Sequence, residues 1–146
     1  MEQRLSVLTI GANDLHAMRK FYEENFGWKP VAANKDIVFY KMNGFLFSIG
    51  KRTDLANFIG IDSHGSGFRS VTLGYNVRTE DEVRLLYKQL KDKGVKILKE
   101  PTEPPFGGLF FYFEDIEGNI LEIAYSTFIP LDDENNAIHH HSIDDL

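Results

Sequence analysis

In the strand-like segment Asn119-Ile120-Leu121-Glu122-Ile123-Ala124-Tyr125, one carboxylate interrupts an apolar run. Side chains alternate between the two faces of a strand, so Ile120, Glu122 and Ala124 point one way and Leu121, Ile123 and Tyr125 the other. If Leu121 and Ile123 pack under a helix, Glu122 points to the inner face of its sheet, where an unpaired carboxylate is costly. Two readings stay open. Glu122 is an acid satisfied by neighbours such as Thr9, Ser48 or Tyr75, or it anchors a cationic or hydroxyl-bearing ligand and can serve as a general base.

Other reactive side chains are sparse. Cysteine is absent, which excludes disulfide frameworks, thiolate zinc sites and cysteine nucleophiles together. His16 falls in the first turn of a helix and His64 in a Gly/Ser connector, positions that suit surface residues. His139, His140 and His141 form a run able to chelate metal adventitiously, on a segment too loose to orient a substrate. No phosphate-binding glycine loop, dinucleotide fingerprint or nucleophile elbow occurs.

Aromatic residues are plentiful, with twelve Phe, six Tyr and one Trp. In Phe110-Phe111-Tyr112-Phe113 consecutive side chains point to opposite faces, so some of them, Phe111 among the candidates, should line a binding surface. The segment Glu100-Pro101-Thr102-Glu103-Pro104-Pro105-Phe106-Gly107-Gly108 is stiff at its start and free at its end, as suits a rim carrying Phe106.

The elements that must position these residues come in two similar sets. Residues 4–10 alternate as a strand, Asn13 or Asp14 caps a helix with apolar Leu15, Met18, Tyr22 and Phe26, and Gly27 ends it. Strands follow at 28–32, 37–42 and 45–49, the last two joined by Asn43-Gly44. The second set starts with a strand over 69–77 and a capping box, Thr79-Glu80-Asp81-Glu82. Its helix buries Val83, Leu86, Tyr87 and Leu90 and ends at Gly94, with strands at 95–98, 109–113 and 119–125. Placing Gly44 on Gly118 brings Ser48 onto Glu122, and Tyr22 falls on Tyr87. Self-similarity of this kind marks two copies of one unit. The expected organisation is one domain over 1–131, built of modules 4–50 and 68–126 with a connector at 51–67, then an acidic flexible tail at 132–146.

The 146 residues suffice for one core without staples. Charge is uneven: residues 1–99 hold sixteen bases and eleven acids, a net +5, and residues 100–146 hold eleven acids and no base. The overall −6 and the scattered bases argue against a nucleic-acid partner. The longest apolar stretches, such as Leu109 to Phe113, fall far short of the roughly 18–20 residues of a membrane span, and no signal peptide is visible. A cytoplasmic protein is expected, with no membrane partner.

Asn13-Asp14-Leu15, the run Phe21-Tyr22-Glu23-Glu24-Asn25-Phe26-Gly27-Trp28, and the hairpin Asp115-Ile116-Glu117-Gly118-Asn119-Ile120-Leu121-Glu122-Ile123 stand out as motifs. Together they resemble the vicinal oxygen chelate superfamily, which groups glyoxalase I, extradiol dioxygenases, fosfomycin-resistance enzymes and bleomycin-resistance proteins. Val71 to Val77 and Phe128 to Asp132 are similar to a glyoxalase-like subgroup. The resemblance implies an α+β fold, two βαβββ modules whose curled mixed sheets surround a shared trough. It also implies, for the enzymes, a divalent metal held by His or Glu of the strands. Of those ligand positions Val7 and Ser48 cannot serve, Val71 to Tyr75 contain no His, Asp or Glu, and Glu122 is the only one that survives.

The expected protein is therefore a small-molecule binder without a catalytic metal. An aromatic or amphipathic ligand would contact Glu122, Ser48, Thr9, Tyr75, Phe106 and Phe111. The alternative is a metal-dependent lyase or dioxygenase whose ligand set includes Glu122 and atypical residues or a dimer partner's. Strand-borne aromatics exceed what one small core can cover, so a homodimer is expected.

Overall fold

The computed structural model describes residues 6–60, 62–67 and 71–141. The chain divides into two compact units, Met1–Phe68 and Arg69–Leu146. In the first, β1 (Val7–Ala12) leads to α1 (Leu15–Phe26), β2 (Pro30–Ala33), β3 (Ile37–Lys41), β4 (Leu46–Lys51) and α2 (Arg52–Ile59). In the second, β5 (Thr72–Asn76) leads to α3 (Glu80–Asp92), β6 (Lys96–Thr102), β7 (Leu109–Glu114) and β8 (Ile120–Tyr125). Each unit is a four-stranded mixed sheet, ordered β1-β4-β3-β2 or β5-β8-β7-β6. The first strand of each pairs parallel to the last, and the remaining pairs are antiparallel. The βαβββ repeat read from the sequence is thus the architecture of both. Arg4 and Leu5, expected in the first strand, and Arg69 and Ser70, expected in the fifth, lie outside the described residues.

Local chemistry explains the helix ends. Ala17 N–H donates to Asp14 Oδ1 at 2.9 Å, and Gly27 closes α1 at φ 69°. Thr79 Oγ1 accepts from Glu82 N–H at 3.2 Å, while Glu82 Oε2 accepts from Thr79 N–H at 2.9 Å, so two orphan donors of α3 are satisfied reciprocally. Three first-turn acids, Glu80, Asp81 and Glu82, face the positive end of its dipole.

Each helix covers one face of its own sheet. Met18 and Tyr22 of α1 are fully buried with Val38, Tyr40, Phe47 and Ile49, and Tyr22 stacks on Trp28 at 5.2 Å. That packing takes Trp28 out of the expected strand at 28–32, and β2 starts at Pro30. In the second unit α3 packs on β6, β7 and β8, burying Val83 and Leu90 with Phe111, Phe113, Leu121 and Ile123. Within the hairpin before β8, buried Asp115 accepts from the backbone N–H of Glu117 and Asn119 and from the Asn119 amide at 2.7 Å. No described helix is long and apolar enough to cross a membrane.

Two expected loops are ordered differently. The strand expected at 95–98 continues to Thr102, so the connection before β7 is only residues 103–108; Pro101 is tolerated because β6 is an edge strand. The segment expected to be a flexible tail from Asp132 folds back through His141. Leu131 bridges Ala137, Ile138 N–H donates to Pro130 O, and Arg78 donates from Nε to Asn135 Oδ1 at 2.7 Å and from Nη2 to Asp132 O. Residues 142–146, with Asp144 and Asp145, lie outside the described residues.

Acid should open that turn. Asp132 accepts from the Asn136 side-chain amide and from the N–H groups of Asn136 and Glu134, and the Asn136 amide is the largest of the causes holding its carboxyl below the usual 3.8. A lowered folded value means the stabilisation is complete above 3.8 and is lost as pH falls through the folded value. NMR should find the Glu134 and Asn136 amide resonances dispersed near about pH 6 and moving to unstructured positions below the ordinary Asp range. Resonances already unstructured at neutral pH would show that the segment does not dock.

Candidate functional site

The hairpin register decides what faces Glu122. Counting outward from Asp115 and Asn119 along the antiparallel pair places Tyr112 opposite Glu122, and Gly74 of β5 stands opposite it on the other side. Burial, and secondarily the Glu122 carboxylate facing it across the ladder, pushes the Tyr112 phenol up to about 12. Tyr112 therefore stays a proton donor throughout the neutral range. At Gly74 an added Cβ would lie 3.9 Å from Glu122 Oε2, so the glycine leaves space beside the carboxylate.

Beyond Tyr112 the row reaches β6 through a register shift between Ile97 and Lys99. Without that bulge Leu98 would stand opposite Tyr112; with it, Lys99 does. Lys99 Nζ lies 4.9 Å from the Phe110 ring centroid, and Phe110 meets Tyr112 edge-on at 5.5 Å. One sheet face thus carries Gly74, Glu122, Tyr112 and Lys99 in a row, with Phe110 beside it.

The first unit has the equivalent row without the charges. Thr9 pairs with Ser48 and Ser48 with Phe39, and Ala32 occupies the slot of Lys99 after a register shift at the same place. The Thr9 and Ser48 hydroxyls hydrogen-bond each other at 2.6 Å, and Ser48 is fully buried. That bond uses one of their two O–H donors.

The expected site residues are therefore sorted by register. Glu122, Thr9 and Ser48 lie on the faces their strands turn away from α3 and α1. Phe111 does not share the face of Glu122: it is fully buried, 5.5 Å from the Tyr87 ring of α3 and 5.7 Å from Phe113, because its partner across the ladder is Ile123. Tyr75 is also opposite Ile123, so it is not a neighbour of the carboxylate, and it is 59% exposed. Phe106 sits edge-on to Phe128 at 6.1 Å, half exposed. Sequence reasoning missed Tyr112 and Lys99. The first was recoverable by counting from the Asp115–Asn119 turn; the second was hidden by the bulge. A shallow depression along α1, lined by His16, Arg19, Lys20, Glu23 and Glu24, is bordered by surface ion pairs.

Neither row by itself holds the donor set of a catalytic divalent ion. Glu122 is the one anionic donor of its row, flanked by a glycine and a phenol that keeps its proton, and the corresponding row offers two neutral hydroxyls. Such an ion calls for about three imidazole or carboxylate donors. Among the described residues no group of three or more His, Asp or Glu is assembled to hold one.

Comparison with known proteins places the chain. Residues 4–123 match the family model of the Glyoxalase/Bleomycin resistance protein/Dioxygenase superfamily. A glyoxalase-related enzyme from Fulvimarina pelagi is 37% identical, with 95% of this chain and 99% of that chain covered and a TM-score of 0.86. The lactoylglutathione lyase of Agrobacterium tumefaciens (16% identical, 86% and 95% covered, TM-score 0.68) is similar in fold. So is the fosfomycin resistance protein FosX of Listeria monocytogenes (20% identical, 87% and 96% covered, TM-score 0.68). Comparison with curated proteins gives no match. From the family match over most of its length, and from two βαβββ units with the parallel closing pairs described above, this chain belongs to the Glyoxalase/Bleomycin resistance protein/Dioxygenase superfamily.

Proposed function

We propose that this protein binds a small molecule on the Glu122 face of its second unit, and does so without a catalytic metal. The ligand is aromatic or amphipathic and presents a cation or hydroxyl to the carboxylate. The observation that carries this reading is the pairing of Glu122 with Tyr112 opposite side-chain-free Gly74. Tyr112, opposite the acid, offsets part of its desolvation cost, while the space at Gly74 leaves Oε2 approachable. Phe110 and Tyr112 supply flat apolar surface next to it.

Glu122→Gln keeps the shape and removes the charge. For an amine-bearing aromatic ligand such as benzylamine, calorimetry should show affinity falling roughly 10- to 150-fold, the equivalent of a charge-assisted hydrogen bond of about 1.5–3 kcal/mol. Metal content should be near zero in both proteins. About one tightly held divalent ion per chain after dialysis, lost in Glu122→Gln, would instead establish the metal-dependent lyase or dioxygenase. Unchanged affinity with a more stable fold would reduce Glu122 to an inherited buried acid.

The binding form is a homodimer. Phe58 is 93% exposed, Ile59 follows it at the end of α2, and Val31 projects from β2, apolar side chains that a second copy of the chain would cover. Light scattering at micromolar concentration should exceed the 16.7 kDa of one chain; a value at that mass would count against the dimer.

A further inference from the structure

Lys99 has a use that the Glu122 reading leaves unfilled. On the same strand Lys96 is neutralised by Glu114 at 2.6 Å, whereas the ammonium of Lys99 rests over the Phe110 ring with no carboxylate in salt-bridge reach among the described residues. It stands in line with Glu122, separated from it by Tyr112, so the two opposite charges do not cancel by contact. Two strand spacings of about 4.8 Å put the backbones of β6 and β8 roughly 10 Å apart, with the Tyr112 ring between them.

A lysine on an edge strand also has a plain role, discouraging edge-to-edge pairing. The fold itself does not demand one at this slot: the first unit has the same register shift at the equivalent edge and fills it with Ala32. The bulge is common to both units and the charge belongs only to the row that holds Glu122.

Building on the proposed function, we infer that the ligand is charge-separated: an aromatic compound with an anionic group at one end, held by Lys99, and a cationic or hydroxyl donor at the other, held by Glu122. The ring lies across Tyr112. An exposed ammonium alone gives a weak, salt-sensitive contact, and the second anchor at Glu122 makes it effective by fixing the ligand's orientation.

Calorimetric titration with three matched probes tests this. 4-(Aminomethyl)benzoate carries an ammonium and a carboxylate at opposite ends of one ring; benzylamine lacks the acid and 4-methylbenzoate lacks the amine. The first should bind the wild type about tenfold more tightly than benzylamine, an advantage that shrinks as ionic strength rises. Lys99→Gln should bring it down to the benzylamine level while leaving benzylamine itself unchanged, and Lys99→Arg should keep most of the advantage. Equal affinity for the first two probes, or an advantage that survives Lys99→Gln, would overturn the role of Lys99 with the Glu122 reading intact. Benzylamine binding that is absent, or indifferent to Glu122→Gln, would overturn the Glu122 reading and the inference with it.

Discussion

Phe111→Ala should lower the stability of the fold by about 3–5 kcal/mol, the range for removing a large aromatic side chain from a packed interior. Phe111 has no exposed surface, meets Tyr87 of α3 edge-on at 5.5 Å and Phe113 at 5.7 Å, and stands opposite buried Ile123. Truncation leaves a cavity beneath α3 that the flanking β6 and β8 cannot fill without breaking their ladders. Urea denaturation checks it through the shift in midpoint. The neighbouring Phe110→Ala is the internal control: Phe110 is on the other face and partly exposed, so its loss should cost far less stability and act on ligand affinity instead. A small effect at Phe111 would mean that the helix does not seal that face.

Gly108→Ala should be nearly as damaging, for a different reason. Gly108 adopts φ 94°, and a Cβ there would lie 2.4 Å from the backbone oxygen of Tyr125. A left-handed conformation costs a residue with a side chain roughly 1–2 kcal/mol, and forcing apart two backbone segments typically adds about 1–3 kcal/mol. The expected loss is about 2–5 kcal/mol, read as a fall in thermal midpoint. Gly27→Ala separates the two contributions, because Gly27 has φ 69° with nothing within 4 Å of its would-be Cβ; only the conformational cost of about 1–2 kcal/mol applies there. Similar losses at both positions would show that the 103–108 connection shifts to make room. The pair Gly107-Gly108, which reads in sequence as a free loop end, is a required crossing of two backbones.

The amino-acid sequence by itself determined the two-unit repeat, the helix ends at Gly27 and Thr79 with Asn13 or Asp14 as the first cap, the hairpin at Asp115–Asn119 and the face taken by Glu122. All of these depend on residues a few positions apart, through apolar periodicity, capping and turn chemistry, so a linear reading captures them. It also named Thr9, Tyr75 and Ser48 as neighbours of Glu122, and module equivalence carries Ser48 onto the position of Glu122. Tertiary structure alone decided which aromatics meet the carboxylate. Alternation showed that Phe110 to Phe113 divide between faces; pairing with Ile123 and Glu122 assigned Phe111 to the core and Tyr112 to the acid. The register shift before Lys99 brought that lysine into line with Tyr112. Docking by Arg78 ordered a segment whose acidity reads as loose. These outcomes rest on contacts between distant parts of the chain, where a single-residue slip in pairing moves a side chain to the opposite face, and composition carries no record of that slip.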